Sequence, residues 1–406
     1  VPYGDHAPWM QSHDDNGKNG MATVLFNLLD DPKGTAYFSR MSLASHGAER
    51  DCGHTGNFWN MLWAMPGVAQ GGPQATGAWM SEFGAWYFDL ARQWDGNFTH
   101  QGPPQPQDDS TRNWDSTGAY LLAYAMPLKK IWLTGKRGSK FPPFSASEAK
   151  QIVRDGSGWS QGDKFSHYDK LSEAELLARL ASWSPVVRER AAIALGRRPS
   201  PPVDAVVKLL DAPALETRLG ACQALEQFKS KAASAVPALR KTLRADDLWL
   251  RVQAADALAA IGKPTMPAVP ELLEMMARSP AKDDPRAMEQ RFLCFALFEK
   301  RDGLLRKSLD GVDREQLRKA VVAGLRNEDG RARSTLGNIY EKLSFQEIQP
   351  ILPAIYEAIV KPAPSGEMFA DGVRLAGLDL LARNHIKEGL PLCVSLMEIN
   401  RHGKKN

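Results

Sequence analysis

The chain has 406 residues, 43% of them apolar and 24% charged, with formal net charge +4 and four cysteines. It is too long for one ordinary core and too mixed for a disordered or collagenous chain, and its charge is too small to demand nucleic acid or a membrane surface as partner. No apolar run reaches the roughly 20 residues that a membrane-spanning helix needs. Eight of the eleven Trp fall in the first 150 residues, and net charge is −2 there against +6 in the remainder, so two parts of different chemistry are expected. The start at Val1, without a basic stretch leading into an apolar one, reads as a processed product or a piece of a longer chain. A removed leader would make the protein secreted or periplasmic; otherwise it is cytoplasmic.

Residues 15–20 read Asp-Asn-Gly-Lys-Asn-Gly and residues 51–56 read Asp-Cys-Gly-His-Thr-Gly, one D-x-G-x-[NT]-G pattern occurring twice. Asp115-Ser116-Thr117-Gly118 shares its Thr-Gly ending. Each precedes an apolar run, MATVLFNLL, NFWNMLWAM and AYLLAYAM. All three are apolar nearly all round, as a helix buried on every side requires. Between them KGTAYFSRMSLAS and TGAWMSEFGAWYFDLARQW read as amphipathic outer helices. Inner apolar helices alternating with outer amphipathic ones predict an α/α-toroid-like domain over residues 1–143, with the inner helix N-termini gathered at one mouth. Three inner-helix starts are present where a closed ring of hairpins needs six, so the ring counts as incomplete.

The pre-helix turns carry the candidate site. Asp15, Asp51 and Asp115, with His54, supply carboxylates and an imidazole for general acid–base work. Glycoside cleavage, for example, needs two carboxyl groups about 5 to 9 Å apart. Asp51, Cys52, His54 and His46 form the densest cluster of metal-ligand types, and zinc is the cofactor they would accept. The structural alternative has Asp51 capping a helix, Cys52 buried and His54 hydrogen bonded in the turn. His13 and Lys18 lie where helix-end charge favours an anionic group. Trp59, Trp114 and His100 are candidate ligand-stacking residues beside the Pro-rich loop 97–113, although Trp59 and Trp63, four apart, also fit core packing. No nucleotide-binding glycine loop and no G-x-S-x-G elbow is present, which disfavours redox, phosphoryl-transfer and esterase chemistry.

A polar stretch at 144–170 reads as a linker, and a different repeat follows over residues 171–400. SPVVRERAAIALGRR, ALETRLGACQALEQF and LWLRVQAADALAAIG superimpose with Arg188, Arg218 and Arg251 matching and Leu195, Leu225 and Leu258 matching. Each continues into a second helical stretch after a Pro- or Gly-bearing turn. Such a period means stacked helical hairpins, an α-solenoid. The matched Arg residues are read as stitching neighbouring repeats rather than lining a binding face. Cys222, Cys294 and Cys393 sit inside amphipathic helical patterns and are expected as free thiols. Further helical segments run to about residue 400, and 401–406 is a basic tail.

The second part resembles HEAT repeats of the short bacterial type, in which an Asp ends one helix and an Arg opens the next. Residues Asp211 to Arg218 and Asp246 to Arg251 carry that order. The first part, through HGAERDCGHTGNFWNMLWAMPGVAQGG and NWDSTGAYLLAYAMPLKKIWLTGK, resembles a bacterial family that joins a terpenoid-cyclase-like α/α toroid to HEAT repeats. The resemblance implies an all-α fold and that pairing of domains, and it carries no activity. The expected function is a binding or scaffold protein, with the solenoid holding a protein or peptide and the aromatic mouth holding a glycan or peptide. The alternative is a hydrolase or lyase on a carbohydrate or peptide polymer, using Asp51, His54 and Asp115 with or without zinc. Nucleic acid is not an expected partner.

Overall fold

The computed structural model describes residues 13, 17–45, 57–99, 115–128, 138–157, 167–364 and 369–402. Among these residues there is no strand. Apart from two isolated antiparallel bridges, Arg92 to Phe98 and Thr99 to Asp115, the regular structure is helical. The chain divides into two compact units. One runs to Leu176 and includes Trp183–Arg190; the other holds Leu177–Ser182 and the chain from Ala191 onward.

In the first unit the three apolar runs form α1 (Lys18–Leu28), α3 (Asn57–Ala69) and α5 (Thr117–Ala125), packed side by side in chain order. Behind them lie α2 (Pro32–Leu43), α4 (Pro73–Phe83) and α6 (Ala146–Gly156). Local chemistry explains the helix starts. Asp31 accepts from the Gly34 N–H at 2.9 Å with Pro32 at the first helical position, and Ser145 with Glu148 closes a capping box at α6. The approach of α1 to α3 depends on glycine. A Cβ on Gly20 would lie 2.1 Å from the Trp63 carbonyl oxygen, and one on Gly67 would lie 2.6 Å from the Gly20 Cα. The core is aromatic: Trp79, Phe83, Phe88, Phe98 and Tyr120 are buried, with Phe88 edge-on to Tyr120 at 5.4 Å and Phe98 stacked on Tyr120 at 5.2 Å.

Two expectations meet a different outcome here. The inner helices are not covered on every side: Met21, Leu25 and Leu28 of α1 and Leu121 and Tyr124 of α5 are exposed. Nearly all-round apolarity marks the innermost position only where something covers both faces, and α1 and α5 keep apolar side chains exposed. The stretch at 144–170 is also no simple linker, because Phe144, Ala149, Ile152 and Val153 are buried in the first unit's core. The helix is strongly amphipathic, so its average polarity hides a packed face.

Helices α7 (Glu173–Arg179) and α8 (Pro185–Gly196) are each divided between the units, and the second unit continues with α9 (Val203–Leu209), α10 (Leu215–Phe228), α11 (Val236–Thr242), α12 (Leu248–Ile261), α13 (Val269–Ala277) and α14 (Met288–Phe298). Next come α15 (Arg314–Leu325), α16 (Gly330–Leu336), α17 (Phe345–Ile348), α18 (Leu352–Val360), α19 (Asp371–Arg383) and α20 (Gly389–His402). First helices α10, α12, α14, α16 and α19 stand in one row, and each second helix packs on the first helix of the following repeat. This is the all-α solenoid that the sequence period predicts. Small side chains, Ala221, Ala224, Ala254 and Ala257, let α10 and α12 come close, while Leu225, Leu258 and Leu272 fill the core between layers. Short 3-10 turns at Lys229–Ala235 and Lys263–Ala268 join the paired helices. Asp247, Asp313 and Asp329 cap α12, α15 and α16, accepting from the N–H three residues on at 2.7 to 2.8 Å. None of the helices among the described residues is long and apolar enough to cross a membrane.

Candidate functional site

The expected site in the first unit is described only in part. Asp15, His46, Asp51, Cys52, His54, His100 and Trp114 lie outside the described residues, and Trp59 is described in its helix backbone alone. Among the described residues no group of three His, Cys, Asp or Glu is arranged to hold a metal ion. His13 is completely buried. Its Nε2 is 2.8 Å from the Ser184 Oγ, its carbonyl accepts from the Asn19 side chain, and its ring lies 6.4 Å from that of Trp183. A ring so enclosed has no face left for a ligand. Lys18 opens α1 directly after Gly17, whose φ is 71°.

Asp115 stands exposed just before α5, and its Oδ1 accepts from the Thr117 N–H at 2.9 Å. Hydrogen bonds from the Thr117 side chain and then its backbone hold the Asp115 carboxyl below the usual carboxylate range. The Thr117 hydroxyl in turn accepts from the Phe98 N–H at 2.9 Å, tying the turn down. An ionised carboxylate in this setting does helix-start work, and it is the opposite of the raised carboxyl that a general acid requires.

The same unit holds a cavity of about 220 Å³ lined by Gln70, Thr76, Phe141 and the rings of Pro73, Pro127 and Pro143. The Gln70 amide oxygen is buried with no hydrogen-bond donor, while Thr76 spends its hydroxyl on the Pro73 carbonyl at 3.0 Å. Sequence reasoning missed this place because no motif marks it. Trp94, at 97% exposure, is the most open large apolar side chain among the described residues.

Of the three matched arginines of the solenoid, Arg188 donates to the Trp183 carbonyl at 3.2 Å within its own turn, and the buried Nε of Arg218 has no hydrogen-bond partner among the described residues. Arg251 donates to the carbonyls of Ala245 and Asp246, both at 2.8 Å, and pairs with Glu289 of the next repeat. One rung on, Arg291 pairs with the buried Asp329 at 3.0 Å. Arg333, completely buried, donates to the carbonyls of Lys361 and Pro362 at 3.2 Å. Second-layer pairs follow the same spacing, with Arg240 bidentate on Glu271 and Arg326 on Glu357. These contacts link neighbouring repeats, and among the matched arginines Arg251 is the one seen to do so. A cavity of about 530 Å³ between Arg244, Glu274 and Asp284 is walled by charges already matched: Glu271 holds Arg240 and Arg244, Glu274 holds Arg278, and both Asp284 carboxyl oxygens accept N–H groups at the start of α14.

A second stripe on the first-helix row is not matched. Gln223 and Glu226 lie one turn apart on α10, and Gln253 and Asp256 one turn apart on α12. Gln253 Nε2 donates to Glu226 Oε2 at 3.4 Å, which joins the two pairs. Burial and then the nearby Asp302 push the Glu226 carboxyl up to about 7. Burial and the Glu226 charge push Asp256 well above the usual carboxylate range.

Comparison with known proteins places these two halves. Residues 173–236 and 203–291 match HEAT repeats, so the solenoid carries HEAT repeats over 173–291. Residues 1–135 match a domain of unknown function (DUF6288). No curated protein matches the chain. Among solved structures, an engineered protein from a structural genomics consortium aligns over 96% of this chain and 95% of its own length, at 17% identity and a TM-score of 0.25.

Proposed function

We propose that this chain is a scaffold whose HEAT solenoid holds a protein or peptide partner, while its first domain holds a glycan or peptide ligand. The HEAT repeats carry the reading. A stacked array offers a long, evenly spaced surface and contains no enclosed catalytic chamber of its own, and such arrays work by holding other chains. In the first domain the support is chemical. Trp94 is an open aromatic platform, and the Gln70 cavity pairs apolar walls with an acceptor that lacks a donor. Hydroxyl-rich or amide-bearing ligands supply such donors. The division into a toroid-like domain over 1–143, a connecting stretch over 144–170 and a solenoid over 171–400 belongs to the same reading, with α6 joined to the first part.

The test is site-directed photo-cross-linking in an extract of the source cells. With the reactive residue placed at exposed Glu216, Lys241 or Lys319, discrete polypeptide adducts are expected, and excess unmodified protein should compete them away. Adducts that are absent, or that resist competition, sink the scaffold reading. For the first domain, binding on a glycan array that a Trp94→Ala substitution weakens about tenfold or more is the expected result.

A further inference from the structure

Adjacent repeats leave a groove open to solvent between α15 and the segment that carries α17, with a volume of about 260 Å³. Leu317, Val321 and Ile351, each 1 to 2% exposed, close its floor, and the half-buried Leu343 and exposed Pro350 stand at its open side. An apolar cavity of roughly 150 Å³ takes a benzene ring, so this groove has room for one large apolar side chain. Its charged residues, Arg314, Glu315, Arg318 and Glu347, are 31 to 56% exposed at the side chain and stand at the rim. The groove lies in the second-helix layer at the junction of two repeats, where a chain laid along the array crosses it.

The rim has its acceptors in use and donors to spare. Glu347 accepts from the Ser344 N–H and hydroxyl, each at 2.7 Å, and from Arg314 Nε at 3.0 Å. Glu315 takes Arg318 Nε and Nη2 at 2.8 and 2.5 Å, with the Lys319 ammonium at 3.6 Å. These bonds hold both carboxyls below the usual carboxylate range, the Ser344 backbone N–H foremost for Glu347 and the Arg318 side chain foremost for Glu315. A guanidinium has five N–H groups, of which Arg314 commits one and Arg318 two to these carboxylates. What the rim can still take is therefore an acceptor, and a carboxylate is the strongest one for a guanidinium. The chain after residue 150 carries +6, a field of the sign that draws an acidic segment toward it.

We propose that this groove is a docking site for a large apolar side chain, phenylalanine or leucine, of an acidic partner segment, with a flanking carboxylate of that segment on Arg314 and Arg318. The proposal deepens the reading of the solenoid as the partner-holding element and rests on it.

The experiment is methyl-detected NMR on the full chain, following Leu317, Val321, Leu343 and Ile351 while acetyl-Asp-Phe-Asp-amide is added to millimolar concentration. Acetyl-Asp-Ala-Asp-amide removes the apolar side chain, and acetyl-Asn-Phe-Asn-amide removes the charge. The first peptide is expected to move those methyl signals and to bind at least about fivefold more tightly than either control. In an Arg314→Gln, Arg318→Gln double variant, checked by circular dichroism, the charged and uncharged phenylalanine peptides should bind alike. Leu343→Trp, which fills the groove, should abolish the response, and Arg244→Gln, at the other solenoid cavity, should leave it unchanged. Methyl signals that stay still, equal binding of the phenylalanine and alanine peptides, or a charge preference that survives the double variant overturns the proposal. So does octanoate binding as tightly as the peptide, since that makes the groove one for a small apolar anion. Competed cross-links on the solenoid together with silent groove methyls would leave the scaffold reading standing and remove this site alone.

Discussion

At the scale of single residues, the unmatched carboxyls set a pH dependence with a definite sign. Glu226 has its folded value raised to about 7 against an unfolded value near 4.3. The folded state therefore holds the proton better, and ionisation removes stability as pH rises from about 4 toward 7. Glu226→Gln should raise the melting temperature at pH 8 by on the order of 2 to 4 °C, about 1 kcal/mol, and raise it less at pH 4.5. Calorimetric scans at the two pH values check this, and a larger gain at the lower pH would refute the assignment. Gly20 gives a second residue-scale prediction. With the Trp63 carbonyl oxygen 2.1 Å from the position of an added Cβ, Gly20→Ala forces two backbones apart and should cost about 1 to 3 kcal/mol in urea unfolding followed by tryptophan fluorescence. His13 shows why residue identity alone misleads. In the sequence it stands just before a helix and reads as a residue for an anionic group, but it is buried against Ser184, 171 positions along the chain.

Among the elements, a repeated arginine does not take one partner in every copy: Arg251 ties two repeats through Glu289, while Arg188 donates to the Trp183 carbonyl within its own turn. The structure adds which partner each rung takes. Arg291 and Asp329 are 7% and 1% exposed at the side chain and 3.0 Å apart. Removing the cation alone leaves a buried carboxylate uncompensated, at a cost of about 3 to 5 kcal/mol. Arg291→Met is therefore expected to lower the urea midpoint sharply, and adding Asp329→Asn should recover part of the loss. If the double variant proves no more stable than the single one, Asp329 does not depend on Arg291. Helices α1 and α5 teach the converse lesson. Their runs were legible as helices and as neighbours, yet the exposure of Leu25 and Leu121 was not. Apolarity says that a face can be covered, and only its packing partners decide whether it is.

For the whole molecule, the solenoid's order predicts how damage spreads. Each repeat touches only its neighbours, so a lesion in the last hairpin should stay local. Leu381→Ala, which removes a buried side chain of α19, is expected to speed hydrogen exchange in α19 and α20 and to leave α12 protected. Equal acceleration in both regions would mean that the array unfolds as a single cooperative block. By itself the sequence determined the all-α class, the period of the solenoid, the apolar runs that become α1, α3 and α5, and the helix starts. These are short-range signals, set by side-chain spacing, capping chemistry and turn residues within about one repeat. Only the tertiary structure decided that residues 146–156 belong to the first core, that His13 is enclosed, and that Glu271 and Asp329 have arginines where Glu226 and Asp256 do not. Those outcomes depend on burial and on partners many residues away, and a linear pattern contains neither quantity.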